Sequence, residues 1–123
     1  MSTGSILFVG DVHLGRRPAR VPDLAGEGID TRELSPRAAF EAVVREARAR
    51  SVDAVVFLGD VVDREEHFLE AWGTLRQGVA ELLEDGIAVL AVAGNHDVVA
   101  LPRLADEIEG FRLIGRGGVW ETV

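Results

Sequence analysis

Three short apolar runs stand out along the chain: Ile6 to Val9, Ala54 to Leu58 and Ile87 to Ala93. Each is continuous rather than alternating, has the length of a strand and stops at a glycine, Gly10, Gly59 or Gly94. Continuous apolar strands mark a parallel sheet, where both faces are covered. Between the runs the period changes. Ser35 followed by Pro36 is a helix start, a serine N-cap with proline at the first helical position. Phe40, Val43, Val44 and Ala47 then recur at helical spacing, with arginines and glutamates between them, until about Arg50. A second helix follows the middle run. It has Phe68, Trp72, Leu75, Val79, Leu82 and Leu83 on one face and Gly86 as its C-cap. Gly73 and Gly78 lie inside it and weaken it by up to about 1 kcal/mol each relative to alanine.

Strand, helix and strand in this order predict an α/β fold: a mostly parallel sheet flanked by helices on at least one face, with right-handed crossovers. Leu101 to Glu107 reads as a further short helix. Phe111 to Ile114 and Val119-Trp120 read as two more short strands, joined by Gly115 to Gly118. Residues 16 to 34 hold Pro18 and Pro22 and show no apolar period, so they read as a long loop. A loop of that length in a compact domain marks function or mobility. At 123 residues the chain makes one domain, residues 1–123.

Composition narrows the class. Hydrophobic residues make up 47% of the chain, enough for a core. The lack of cysteine excludes disulfides and thiolate metal sites and suits a cytoplasmic setting. Met1 to Ser5 carry no basic stretch of a signal peptide, and no apolar run approaches the roughly 18 residues of a membrane span, so no membrane partner is expected. The net charge of -8 disfavours non-specific binding to nucleic acid, whereas clustered carboxylates suit divalent cations. A solvated acidic surface accounts for most of the 21 acidic residues.

The chemistry gathers at the ends of the three strands. In an open α/β sheet, ligands bind outside the carboxyl ends of the strands. Those ends carry Asp11-Val12-His13, Gly59-Asp60-Val61-Val62-Asp63 and Gly94-Asn95-His96-Asp97. Taken singly, each has an ordinary reading as a polar loop, a turn or a helix cap. His67, beside two glutamates at a helix start, reads as an exposed residue. Taken together, the three loops offer carboxylate, amide oxygen and imidazole, the ligands of a manganese, iron or zinc site without thiolates. Two metals about 3.5–4 Å apart need a bridging group, and Asp60, on the central strand, is the candidate.

This arrangement resembles the calcineurin-like metallophosphoesterase superfamily, whose signature is Asp-x-His, Gly-Asp-x-x-Asp and Gly-Asn-His-Asp or Glu, each after a strand. The extension Asp11-Val12-His13-Leu14-Gly15 is similar to the nuclease subunit of SbcCD-type and Mre-type DNA repair complexes. The resemblance implies two divalent ions, Mn²⁺ first with Fe or Zn as alternatives. It implies that Asp11 and His13 bind the first metal, that Asp60 bridges, and that Asn95 binds the second through its amide oxygen. His96 would face the phosphate and protonate or stabilise the leaving oxygen, oriented by Asp63 or Asp97. Arg64 would contact phosphate; the ordinary alternative is a surface arginine paired with Glu65 or Glu66. The implied reaction is hydrolysis of a phosphoester, with DNA exonuclease action alongside an SbcC/Rad-type ATPase partner, in a homodimer. The alternatives are a phosphatase or phosphodiesterase on small molecules or phosphoproteins, and a non-catalytic metal-binding or interaction fragment. The chain also departs from the family. Its only histidines are His13, His67 and His96, and nothing after Asp97 resembles the later Gly-His and Gly-His-x-His steps. The resemblance therefore covers one half of the family's two-sheet sandwich, with an incomplete metal site.

Overall fold

A computed structural model describes residues 3–17, 25–28 and 30–123. Four strands, β1 (Ile6–Val9), β2 (Ala54–Phe57), β3 (Ala88–Ala91) and β4 (Phe111–Leu113), form one sheet in sequence order. All three pairings are parallel, with Ile6 opposite Ala54, Ala54 opposite Ala88 and Val89 opposite Phe111. Three helices make the crossovers: α1 (Pro36–Ala49), α2 (Phe68–Glu84) and α3 (Ala100–Glu107). The Ser35 side chain caps α1 by accepting from the Ala38 amide at 3.1 Å, as the Ser-Pro start predicts.

Sequential strand order has a consequence for the layers. Each right-handed crossover steps the same way across the sheet, so all three helices fall on one face. That face holds the core. Val55, Phe57, Val89, Ala91 and Phe111 from the sheet are buried against Phe40, Val44 and Ala47 of α1, Leu75, Val79 and Leu82 of α2, and Leu101 and Leu104 of α3. The Phe57 ring lies 5.9 Å from Phe40 and 6.5 Å from Phe111, centroid to centroid. The opposite face carries no helix among the described residues; at β4 its Arg112 meets Glu121 of the C-terminal segment at 3.5 Å, and at β1 and β2 it is open. Ile6, Phe8 and Leu58 are each more than half exposed there, although continuous apolar strands predict cover on both sides.

Several expectations shift in detail. Val119-Trp120 is not a strand: Arg116–Gly118 forms a 3-10 turn and the chain beyond has no regular structure, with Trp120 fully exposed. Of the expected loop over residues 16 to 34, Ala25–Glu27 and Thr31–Leu34 are 3-10 turns, while residues 18–24 and 29 lie outside the described residues. In α2, Leu83 is on the exposed side, and Ala71 and Gly78 are buried instead. Gly78 is there because α1 passes close. A Cβ on it would collide with the Phe40 ring, lying 2.6 Å from Cζ. No helix among the described residues is long and apolar enough to cross a membrane.

Candidate metal centre

The parallel sheet delivers the ends of β1, β2 and β3 to one edge, and backbone hydrogen bonds then hold the loops together beyond the strands. The His13 amide donates to the Asp60 carbonyl at 2.9 Å and the Leu14 amide to the Val61 carbonyl at 2.8 Å. The Asp63 amide donates back to the Leu14 carbonyl at 3.0 Å. Leu14, Val61 and Val62 are buried, so apolar residues inside both polar motifs root the loops in the core. The third loop joins through Asp97, which is fully buried. Its Oδ2 accepts from the Val61 and Val62 amides at 2.7 and 3.3 Å, and its Oδ1 from the Gly94 amide at 2.7 Å. Gly94 sits directly against Asp60, where a Cβ would collide with Oδ1 and lie 2.6 Å from the amide nitrogen.

Asp11, His13 and Asp60 present one oxygen or nitrogen each, all within 4.8 Å of one another. Their backbones are left-handed, with φ of 51°, 51° and 50°. Ser51 is the other non-glycine residue with positive φ among those described. Such backbones cost on the order of 1–3 kcal/mol each and persist only where the surroundings over-determine them. Here the inter-loop ladder does so. The strain turns three side chains toward one point at the sheet edge. Two carboxylates and an imidazole fit a divalent cation of the manganese, iron or zinc type.

His13 is held for that task. Its Nδ1 lies 3.0 Å from Asp63 Oδ1, and since a carboxylate only accepts, Nδ1 carries the proton. Nε2 is the nitrogen left for a cation, and it faces Asp11, 3.7 Å from Oδ1. A carboxylate behind a histidine is the usual way to orient a metal-binding imidazole. Asp60 Oδ1 accepts from the His96 amide at 2.9 Å, which leaves Oδ2 open. The His96 ring is exposed and stands edge-on to His13, with centroids 5.3 Å apart.

Asp11, His13 and Asp60 therefore come together, with Asn95 exposed on the adjoining loop. The two residues expected to orient His96 have other partners: Asp63 holds His13, and Asp97 holds backbone amides. Among the described residues nothing hydrogen-bonds the His96 ring. Arg64 is exposed and makes no ion pair with Glu65 or Glu66. His67 is not on open surface as expected. Its side chain is 28% exposed and its Nδ1 lies 3.8 Å from Asp63 Oδ2. Its position four residues after Asp63 was the available signal, although the chain between is extended at Arg64 rather than helical.

The profile of the calcineurin-like phosphoesterase family matches residues 4–122. The chain belongs to that family. As a calcineurin-like phosphoesterase it is also similar to proteins named DNA double-strand break repair protein Mre11. It is 34% identical to the protein of Methanopyrus kandleri over 73% of this chain and 18% of the relative. It is 33% identical to that of Haloferax volcanii over 92% of this chain and 24% of the relative. For Aeropyrum pernix the identity is 35%, over 83% of this chain and 22% of the relative. The chain thus spans about a fifth of the length of these relatives.

Proposed function

We propose that this calcineurin-like phosphoesterase contributes part of a two-metal phosphodiesterase centre that acts on DNA, as a repair exonuclease with an SbcC/Rad-type ATPase partner. The carrying observation is the convergence of Asp11, His13 and Asp60 at the sheet edge, with Asp63 behind His13. The similarity to double-strand break repair proteins supports DNA over other phosphoesters. Asp11 and His13 would hold one ion, Asp60 would bridge, and Asn95 would reach the second through its amide oxygen. Divalent ions bound there, Mn²⁺ by preference, would supply charge stabilisation to a phosphate undergoing hydrolysis. His96, exposed beside His13, would protonate the leaving oxygen. Arg64, exposed just after Asp63, would contact phosphate. The cytoplasm is the setting we favour for a cysteine-free chain.

The open, helix-free face at β1 and β2 and the count of three histidines support the view that a second sheet completes both the fold and the metal shell. The same two observations favour a second reading, an interaction fragment without turnover. Linear duplex DNA, bis-(p-nitrophenyl) phosphate and p-nitrophenyl phosphate assayed side by side with Mn²⁺ separate the readings. Hydrolysis of the diesters alone supports a nuclease, and hydrolysis of the monoester alone supports a phosphatase. No turnover despite Mn²⁺ binding supports the fragment. Where turnover is present, His96→Ala should lower it by about 10²–10⁴-fold while leaving metal affinity intact. Full turnover in that variant would remove His96 from the chemistry.

A further inference from the structure

His67 is the one histidine that the proposed centre does not use, and its surroundings are unusual. The Nδ1 atom is shielded from solvent and has no hydrogen-bond partner. Buried polar atoms without partners are rare in folded proteins and call for a reason. Asp63 Oδ2 lies 3.8 Å away, beyond hydrogen-bond range by less than an ångström. The other oxygen of that carboxylate, Oδ1, already accepts from His13 Nδ1 at 3.0 Å. Asp63 is itself only 15% exposed, so it has little water to turn toward.

On its other side the His67 ring packs against Gly15. Gly15, with φ of 92°, passes directly under it: a Cβ there would collide with His67 Cβ and lie 2.7 Å from Cγ. The loop that carries Asp11 and His13 thus packs on His67, while His67 faces the carboxylate that grips His13.

We infer that His67 is a positioning residue that acts through Asp63. A shift of less than an ångström lets the His67 Nδ1–H donate to Oδ2, which would leave Oδ1 aligned with His13 Nδ1 and keep His13 in the tautomer whose Nε2 is free for a cation. A carboxylate held at one oxygen can swing about its Cβ–Cγ bond, whereas one held at both cannot. The inference rests on the metal-binding reading of His13 given above, but its first consequence, the His13 tautomer, is visible without metal.

Two substitutions separate positioning from packing. His67→Phe keeps a ring over Gly15 and removes the nitrogen. His67→Asn removes the ring and retains a donor, because the Asn side-chain nitrogen falls near the place of Nδ1. The full chain, labelled with ¹⁵N-histidine and free of metal, is compared by long-range ¹H–¹⁵N correlation of the His13 ring. Wild type and His67→Asn should show the Nδ1–H tautomer, and His67→Phe a mixture. Calorimetry with Mn²⁺ should then show an affinity about 10-fold lower in His67→Phe, the low end of the effect of outer-sphere partners, and recovery in His67→Asn. An unchanged tautomer and affinity in His67→Phe would overturn the inference and leave His67 as packing. The same holds if His67→Asn, still folded, is as impaired as His67→Phe. Should wild type bind no Mn²⁺, the metal reading fails, and the tautomer comparison alone decides the role of His67.

Discussion

Replacing Asp97 with alanine should separate the third loop from the second and cost the domain a large part of its stability. The side chain is fully buried and accepts three backbone N–H groups, two of them at 2.7 Å. Hydrogen bonds to a charged group contribute about 1.5–3 kcal/mol each, and an amide left buried without a partner costs about 1–3 kcal/mol. Counting the 3.3 Å bond to Val62 as weak, the gross loss is two strong bonds and part of a third. Against this, alanine removes the desolvation cost of a buried carboxylate, an effective several kcal/mol. The net expectation is about 2–4 kcal/mol, out of a total near 5–15 kcal/mol for a domain. With a urea dependence of about 1–3 kcal/mol per molar, the unfolding midpoint should fall by about 1–2 M. Far-UV circular dichroism through a urea titration reads this directly. Asp97→Asn should fall between wild type and alanine, because its single oxygen can serve only one side of the clamp. A midpoint shift in Asp97→Ala below about 0.3 M would refute the clamp, since it would convert to under about 1 kcal/mol.

Two further outcomes follow from the helices. Gly78→Ala should destabilise, because overpacking against Phe40 costs about 1–3 kcal/mol and exceeds the roughly 1 kcal/mol of helix propensity gained. Gly73→Ala, five residues earlier with open space at its Cβ, should stabilise by about 0.5–1 kcal/mol in the same urea titration. At the far ends of α1 and α2, the hydrogen bond from Arg48 holds the Asp85 carboxyl below its ordinary 3.8. A depressed folded value means that this contribution is complete above pH 3.8 and is lost as pH falls through the lower folded value. The stability gap between wild type and Arg48→Met should therefore narrow below that pH and shrink in high salt, and a gap independent of both would reject the pair as its cause.

What could be read from sequence here is what short stretches decide by themselves. The apolar runs ending at Gly10, Gly59 and Gly94 become three parallel neighbours, and Ser35 caps α1 through its own side chain. The candidate residues Asp11, His13 and Asp60 come to one edge because every strand of a parallel sheet points the same way. Periodicity and capping act over a few residues, so they survive without knowledge of the rest of the chain. Val119-Trp120 shows the limit: two β-prone residues make no strand where no neighbour offers a ladder.

The tertiary structure decided which polar group meets which. Asp63 could not be assigned to His13 rather than His96 from spacing alone. The choice depends on left-handed backbones at Asp11, His13 and Asp60, where no glycine announces them. Those backbones are imposed by bonds between loops about 50 residues apart in sequence, such as the amide of His13 on the carbonyl of Asp60. The burial of Asp97 and the approach of His67 to Asp63 arise in the same way, from loops that touch only after the sheet has formed. The helix-free face is decided at a longer range still. Apolar strands state that both faces want cover, but only the strand order, stepping one way across the sheet, puts every helix on the same side.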